Sequence, residues 1–329
     1  MAPIITPKAL EPGATVAFIS PSARLNNLLP AVLSRATAMF EGRGYNIRKF
    51  FTPDTGIQFS IADRLSELRA AFSNPAVSVI ICTIGGPSFT ELLPALIADT
   101  GLHDIIRTNP KIVRGEPRSV DDKTSPLAFC VENLFRAVAD RAPIGDIPRS
   151  LTYTPKLAPF FGNPSSVDAL ELAPSPGWIW IRPGKAEGRI FGGCLTVMAR
   201  LAGVRAIAPD WRGRIVFFET AIGEDEVSGN PLHRVRAGIA DLIAQGVFEE
   251  AAGLVVGRPF GYDSAEMREQ YTGVIEELLC EERLAKKKFP ILFSVDIGHT
   301  SPMVTLPFDA LASLDSEKDQ FTILEPGVI

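Results

Sequence analysis

The sequence has few of the residues from which metal sites and disulfide frameworks are built. Among 329 residues there are three histidines and four cysteines, and no two cysteines have CxxC spacing. We therefore expect no metal site and no disulfide framework. The cysteines are predicted to be reduced and buried, as is typical of a cytoplasmic protein. They are Cys82, Cys130, Cys194 and Cys280.

The sequence also lacks a dense basic surface and a long apolar run. Its net charge is −5, and the triplet Lys286-Lys287-Lys288 is interpreted as a solvated loop before a strand. Nucleic-acid-binding proteins concentrate positive charge on one face, and a membrane-spanning helix needs about 18 apolar residues. We expect neither a nucleic-acid partner nor a membrane. The segment Met1 to Pro7 does not resemble a secretory signal, so a cytoplasmic location is expected.

The first part of the chain alternates between apolar runs and amphipathic segments. Strands are predicted at residues 14–20, 45–50 and 77–83, with helices between them at 28–42 and 61–74. This alternation is typical of parallel strands joined by right-handed crossovers. The N-terminal part is therefore predicted to be a Rossmann-like domain with a parallel sheet.

The second part continues the alternation after a segment rich in proline, serine and glycine. Helices are predicted at 194–202, 232–244 and 264–286, and strands at 214–219, 253–257, 291–295, 303–306 and 321–324. The fold class is α/β, with an N-terminal domain at 1–140, a linker at 141–176 and a C-terminal α/β domain of mixed β structure at 177–329. We expect a cleft between the domains, at the carboxyl ends of their strands.

Two glycines, Gly85 and Gly86, follow the predicted strand at 77–83 and precede a predicted helix. Glycine accepts positive φ, and the N–H groups that begin a helix point toward an anion. The turn is consistent with an oxyanion or phosphate site, and equally with a tight turn that binds nothing. No Gly-Lys-Ser/Thr sequence follows, so it is not a P-loop.

Glu219 and His299 are the candidate acid–base residues. Glu219 ends an apolar strand, where a buried carboxylate without a partner is costly. His299 follows a predicted strand and Gly298. A histidine with a carboxylate partner is a competent general base. Each residue also has a plain structural reading, as a solvated acid at a strand end and as a structural histidine.

Several segments occur together in an order that matches one family. They are Pro12-Gly13-Ala14-Thr15-Val16-Ala17 with Ser20-Pro21-Ser22, Cys82-Thr83-Ile84-Gly85-Gly86 with Glu91-Leu92-Leu93-Pro94, Asn109-Pro110-Lys111-Ile112, Gly192-Gly193-Cys194-Leu195, Gly213 to Glu219, Gly257-Arg258, and Gly298 to Pro307. In these the chain resembles the LD-carboxypeptidase family, serine peptidases of family S66 that include the microcin C immunity hydrolases. The resemblance covers most of the chain.

The resemblance places the family's nucleophilic serine at the third residue after the two glycines. Counting forward from Gly86 and backward from Leu92 both lead to Phe89, whose ring has no lone pair to attack a carbonyl. The neighbouring Ser88 is the candidate substitute nucleophile, and helix capping is its alternative role. Thr90 is a weaker substitute.

The resemblance also implies roles for the remaining candidates. It makes Glu219 and His299 the other members of a Ser-Glu-His triad and requires neither a metal nor an organic cofactor. It further implies a homodimer. Oxyanion or substrate contacts are expected from Gly85, Gly86, Phe89 and Thr90.

Two functions remain open at this point. The first is a cytoplasmic hydrolase that cleaves amide bonds near a free carboxylate in peptides or peptidyl conjugates. The second is a non-hydrolytic descendant, either a binding protein or an enzyme that uses Glu219 and His299 for proton transfer alone. Phe89 would then offer an apolar floor to a small molecule.

The middle of the chain departs from the family pattern. Relatives usually continue from the Asn-Pro-Lys-Ile strand through a turn, a helix and a further strand. Here Val113 runs directly into Arg114-Gly115-Glu116-Pro117. We expect the strand at this point to have almost no length and a central segment of the first domain to be missing.

Overall fold

A computed structural model describes residues 4–24, 30–51, 60–115, 126–157, 159, 163, 170–225 and 227–329. The chain divides into two compact units. Unit 1 comprises Met1–Arg141, Ala158–Asp168 and Gly327–Ile329, and unit 2 comprises Ala142–Leu157 and Ala169–Pro326. The limits expected for the domains and the linker stay predictions.

Unit 1 is built on a four-stranded parallel sheet with the order β2-β1-β3-β4. Its strands are β1 Thr15–Ile19, β2 Asn46–Lys49, β3 Val77–Cys82 and β4 Ile112–Gly115. Its helices are α1 Pro30–Glu41, α2 Ile61–Ser73, α3 Leu93–Ala98, α4 Thr100–Thr108 and α5 Pro126–Val138, and a 3-10 helix spans Pro87–Leu92.

Local side chains explain where two helices of unit 1 begin. Ser60 caps α2, because its hydroxyl accepts a hydrogen bond from the backbone N–H of Asp63 at 3.3 Å. Asp99 caps α4 in the same way through the N–H of Leu102 at 2.9 Å. These caps satisfy N–H groups that a helix cannot pair internally. The apolar faces of both helices then pack on the sheet in one cluster: Ala17, Ile19, Leu68, Ala71, Phe72, Val77, Ile80 and Leu102.

Unit 2 is built on an eight-stranded mixed sheet with the order β5-β14-β13-β9-β10-β11-β12-β8. Its strands are β5 Gly145–Asp146, β8 Ile179–Arg182, β9 Lys185–Cys194, β10 Ile215–Glu219, β11 Gly253–Gly257, β12 Ile291–Val295, β13 Leu311–Asp315 and β14 Gln320–Ile323, and a separate pair is formed by β6 Thr152–Tyr153 and β7 Ala173–Pro174. Its helices are α6 Leu195–Leu201, α7 Leu232–Ala244 and α8 Ala265–Ile275.

Strands β9 to β12 run parallel at the centre of this sheet. Every residue of β10, β11 and β12 is buried. Continuous apolar runs of this kind are typical of parallel strands that are covered on both faces. The α/β class is therefore confirmed, with a parallel sheet in the N-terminal part and a mixed sheet in the C-terminal part.

The helix predicted at 264–286 is wrong in its second half. Helix α8 ends at Ile275. A π-helical turn, Glu276–Cys280, and a 3-10 turn, Glu282–Leu284, follow it. The guanidinium of Arg182 donates to the carbonyl of Leu279 at 3.1 Å, so this carbonyl is satisfied from outside the helix.

The strand predicted at 303–306 is also wrong. In this segment the N–H of Val304 donates to the carbonyl of Asp296 at 2.8 Å, and no β ladder includes these residues. The flanking Pro302 and Pro307 have no N–H to donate to a ladder.

The middle of unit 1 differs from expectation at β4. This strand has four residues and pairs in parallel with β3, with Val79 opposite Ile112 and Cys82 opposite Gly115. The expectation of almost no strand is therefore wrong. The expected loss of a central segment falls on residues 116–125, which lie outside the described residues.

The four cysteines are free, as expected, but only Cys130 is buried and the other three are half-buried. Burial raises the pKa of the Cys82 thiol to about 11, which suppresses its thiolate at neutral pH. Within the described ranges, no helix is long and apolar enough to cross a membrane.

Gly192 and Gly193 of β9 provide a matched test of the packing between β9 and β10. A Cβ atom at Gly192 would lie 1.8 Å from the carbonyl oxygen of Phe217, whereas one at Gly193 would meet nothing within 4 Å. Overpacking of this kind typically costs about 1–3 kcal/mol. We expect Gly192→Ala to lower the free energy of unfolding, measured by urea titration, by about 2 kcal/mol or more. A Gly193→Ala variant that loses as much would contradict this reading.

Candidate functional site

Glu219 is a buried carboxylate at the carboxyl end of β10. Its residue is 5% exposed, and the four residues before it are fully apolar. Strand β10 lies between β9 and β11, so the pairing on both sides fixes the position of this end. A carboxylate in such surroundings requires hydrogen-bond donors, because burial without them is costly.

His299 supplies the donors that Glu219 requires. Its Nδ1 lies 2.8 Å from Oε2 of Glu219, and its backbone N–H donates to the same oxygen at 3.1 Å. The side chain of His299 is 48% exposed, against 6% for that of Glu219. One member of the pair is therefore held in the protein interior, while the other remains accessible.

Gly298 allows this close approach. Its φ is +91°, and a Cβ atom on it would lie 2.2 Å from Cγ and 2.4 Å from Oε2 of Glu219. Only glycine fits such a position without strain or displacement of the carboxylate. The Gly-His pair seen in the sequence is therefore a steric requirement of the Glu219 contact.

The arrangement fixes which nitrogen of His299 can act as a base. An ionised carboxylate only accepts hydrogen bonds, so Nδ1 must carry the hydrogen in the contact with Glu219. In the neutral ring, Nε2 is then the nitrogen that carries the lone pair. The carboxylate also stabilises the imidazolium that forms when Nε2 takes a proton. The pair can therefore perform general acid–base chemistry at Nε2.

Cys194 is a neighbour of this pair that the sequence reasoning missed as part of the site. It ends β9 and lies opposite Glu219 in the parallel register. Burial raises the pKa of its thiol, and the negative charge of Glu219 raises it further. The thiol is therefore held protonated beside the carboxylate. Its position directly after Gly192 and Gly193 was the signal available in the sequence.

In unit 1, the Gly-Gly turn has the predicted form with one change. Gly85 and Gly86 are exposed, and Gly86 has a φ of +134°. A Cβ atom on Gly86 would lie 3.5 Å from Cβ of Ala23 in the turn after β1. The helix that begins after Gly86 is a 3-10 helix, and α3 follows it.

A buried arginine is hydrogen-bonded to the backbone of this turn. Arg64 of α2 is fully buried, and its Nη1 donates to the carbonyls of Pro21 at 3.1 Å and Ser88 at 2.9 Å. Its Nη2 pairs with Glu91. One guanidinium therefore links the turn after β1 to the turn after β3. This role of Arg64 was not predicted from the sequence.

Ser88 does not cap the helix, so that alternative is wrong. Gly86 occupies the cap position and no side chain makes a capping hydrogen bond there. Ser88 is 5% exposed, and its hydroxyl has no hydrogen-bond partner among the described residues. Phe89 and Thr90 are half-buried, and Phe89 packs against the apolar cluster of unit 1.

The predicted site residues thus form two groups. Glu219 and His299 meet in unit 2 through a direct hydrogen bond. The others share one turn of unit 1: Gly85, Gly86, Ser88, Phe89 and Thr90. Their roles in catalysis or binding stay predictions.

Comparisons with known proteins point to one family. Residues 16–116 match the LD-carboxypeptidase N-terminal domain and residues 187–314 match the LD-carboxypeptidase C-terminal domain, so the two matches cover more than half of the chain. The microcin C7 self-immunity protein MccF of Escherichia coli is 26% identical over an alignment 349 positions long, gaps included, that covers 96% of this chain and 94% of that protein. A Bacillus subtilis protein named as a probable murein peptide carboxypeptidase is 25% identical over an alignment 346 positions long that covers 98% of this chain and 95% of that protein.

The fold has the same counterpart among solved structures. The structure of MccF in complex with aspartyl sulfamoyl adenosine superposes with a TM-score of 0.82 at 21% identity, covering 99% of this chain and 100% of that chain. At this identity the likeness shows the fold alone. The parallel sheet of unit 1 and the mixed sheet of unit 2 are therefore those of the MccF fold.

Gly298→Ala tests whether the backbone turn creates the Glu219–His299 contact. The added methyl group displaces the Glu219 carboxylate, so the hydrogen bond to Nδ1 should break. We expect the low-field proton resonance of a carboxylate-bound Nδ1–H to disappear from the NMR spectrum. Gly273→Ala in α8, where a Cβ atom meets nothing within 4 Å, is the matched control and should keep it. A Gly298→Ala spectrum that retains the resonance would contradict the assignment.

Proposed function

Because the chain belongs to the LD-carboxypeptidase family, we propose that it is a hydrolase which cleaves amide bonds in small peptide-like or aminoacyl conjugates. The observation that carries this proposal is the 2.8 Å contact between Oε2 of Glu219 and Nδ1 of His299. A carboxylate-held histidine whose Nε2 carries the lone pair is the general base that acyl transfer requires.

The proposed reaction follows the order of a serine hydrolase. Nε2 of His299 takes the proton of the attacking hydroxyl, and Glu219 stabilises the imidazolium. The hydroxyl oxygen bonds to the carbonyl carbon, whose oxygen takes up the negative charge. Backbone N–H groups near Gly86 are the proposed donors to that oxyanion. His299 then returns the proton to the leaving amine, and water hydrolyses the acyl-enzyme.

Ser88 is the proposed nucleophile. It is the serine directly before Phe89, the position at which the family pattern places its nucleophile. Its Oγ makes no hydrogen bond within the described residues, so no existing hydrogen bond has to break before it can react. Reaction requires this buried hydroxyl to become accessible to substrate.

The substrate class is proposed from the relatives together with the acid–base pair. One relative is named for murein peptides, and MccF has been solved with aspartyl sulfamoyl adenosine. Both names refer to compounds that contain amino acids, a peptide in the first and an aspartyl group in the second. We propose the same general class here, without a metal or organic cofactor, in a cytoplasmic homodimer.

A serine-directed fluorophosphonate probe tests the nucleophile. We expect covalent labelling of the wild type, because an activated serine attacks phosphorus as it attacks a carbonyl. Labelling should be lost in Ser88→Ala and retained in Ser22→Ala, a matched variant at another buried serine of unit 1. Absence of any label on the folded wild type would rule out an acyl-enzyme at Ser88.

The Phe89→Ser variant then tests whether Glu219, His299 and the proposed oxyanion donors can act with a serine at position 89. If a serine at position 89, where the family pattern has its nucleophile, reacts better than Ser88, this variant should gain fluorophosphonate labelling. That labelling should remain when Ser88→Ala is added. Labelling of Phe89→Ser that still depends wholly on Ser88 would show that position 89 cannot present a nucleophile.

A second function is favoured by the burial of Ser88 and the ring at position 89. With Ser88 only 5% exposed, the accessible chemistry is that of the half-exposed His299. We propose as the alternative that the Glu219–His299 pair performs proton transfer alone on a small molecule with an apolar part. Such a base needs no hydroxyl nucleophile.

The two functions differ in their dependence on Ser88. Under the second, any activity found in a screen of aminoacyl and dipeptide amides should survive in Ser88→Ala and fall at least about 100-fold in His299→Gln, the usual contribution of a general base. His233→Gln, at an exposed histidine of α7, is the control. Full activity in His299→Gln would contradict both functions.

A further inference from the structure

A buried polar network lies behind the loop that carries His299. We define the His299 loop as residues 296–301, which directly follow β12. Within unit 2, side chains from three other segments form a network with two side chains of this loop. They are Ser150, Tyr153, Ser175, Arg258, Asp296 and Thr300.

The centre of the network is an ion pair between Arg258 and Asp296. Nη2 of Arg258 lies 2.8 Å from Oδ1 of Asp296, and the side chains are 4% and 2% exposed. Arg258 directly follows β11 and Asp296 directly follows β12, so the carboxyl ends of two paired strands bring them together. Ser150 adds two donors to the carboxylate, its backbone N–H and its hydroxyl, each at 2.9 Å.

Arg258 also reaches the other end of the His299 loop. Its Nε donates to Oγ1 of Thr300 at 2.8 Å, and Thr300 is the residue next to His299. Its guanidinium lies 4.5 Å from the centre of the Tyr153 ring. A single planar side chain is therefore ion-paired with the loop before the histidine and hydrogen-bonded to it after the histidine. An arginine is suited to this task because its donors have a fixed geometry.

The ion pair is retained at an energetic cost. Burial lowers the pKa of Arg258 and raises the pKa of Asp296, so the surroundings oppose both charges. Buried ion pairs are often no more stabilising than apolar residues of the same volume. What Arg258 supplies that an apolar residue cannot is an ion pair with Asp296 and a hydrogen bond to Thr300, at two defined points of the loop.

The backbone before the loop is also unusual. Ser294 in β12 has a φ of +71°, and the register between β11 and β12 shifts by one residue at this place. Such a bulge redirects the residues that follow it. The N–H of Arg258 donates to the carbonyl of Val295 at 2.7 Å, which holds the redirected chain against β11.

From this geometry we propose that Arg258 and Asp296 are positioning residues, whose buried ion pair fixes the His299 loop so that the imidazole meets Glu219. The consequence for catalysis rests on the proposed function. The orientation of the ring does not, and it can be measured in the protein without a substrate.

Two variants test the proposal, one that removes a single hydrogen bond and one that removes a buried charge. Thr300→Val removes the acceptor of the Arg258 Nε bond with little change in shape, and Asp296→Asn removes the charge of the pair. The matched control is Glu325→Gln, which breaks the two-bonded pair between Arg189 and Glu325 in the same unit. The measurements are amide hydrogen exchange across residues 297–301 and the low-field Nδ1–H resonance of His299.

Both loop variants should exchange at residues 297–301 at least about tenfold faster than the wild type, because the loop opens locally without global unfolding. Both should also weaken or lose the His299 resonance, and Glu325→Gln should change neither. Wild-type exchange and an intact resonance in folded Thr300→Val and Asp296→Asn would overturn the proposal. If Asp296→Asn does not fold, Thr300→Val decides alone.

The outcome is separable from that of the proposed hydrolase. If the loop variants exchange faster but fluorophosphonate does not label the wild type, the positioning role is supported and only the acyl-enzyme is contradicted. An unchanged loop in a protein that is labelled at Ser88 counts only against the positioning role.

Discussion

The hydrogen bond between Glu219 and His299 is the interaction on which the account of the site depends. It joins a carboxylate at the end of a buried strand to a half-exposed imidazole on a loop. The carboxylate is satisfied by the ring and by the N–H of the same residue, so its burial does not leave an unpaired charge. The same contact places the lone pair of the neutral ring on Nε2.

The rest of unit 2 can be understood as what makes this contact possible. Parallel pairing places the ends of β9, β10, β11 and β12 side by side. Gly192 and Gly298 remove the side chains that would keep neighbouring segments away from β10 and Glu219. The Arg258–Asp296 pair then fixes the far side of the loop. The space left by the glycines and the polar contacts of the Arg258–Asp296 pair therefore position the same two residues, Glu219 and His299.

Much of the architecture could be predicted from the sequence because it follows from hydrophobic periodicity. The prediction of a strand at 253–257 and a helix at 232–244 agrees with β11 and α7, both strongly patterned. The end of α8 could not be predicted, since the carbonyl of Leu279 is bonded by Arg182, a residue 97 positions away. The prediction of a strand at 303–306 is wrong, and the N–H of Val304 bonds to the carbonyl of Asp296 in the His299 loop instead of to a neighbouring strand.

The candidate site, like the fold, could be predicted from the sequence only in part. Glu219, His299 and the Gly-Gly turn could be found from local sequence, because each stands at a strand end beside a glycine. Arg64 could not, and Arg258 and Cys194 could be found only as members of short matched segments, because what all three do depends on contacts with residues far along the chain. No periodicity or short motif encodes such contacts. The same limit applies to Ser88, whose burial decides how accessible its hydroxyl is.

The imidazole nitrogen chemical shifts of His299 in the unmodified protein test the central claim most directly. With three histidines in the chain, an NMR correlation of ring nitrogens and protons can be assigned by single substitution. The account predicts that neutral His299 carries its hydrogen on Nδ1, with Nε2 unprotonated. A neutral ring protonated on Nε2 would mean that Glu219 does not hold the histidine as described, and that Nε2 is not the base.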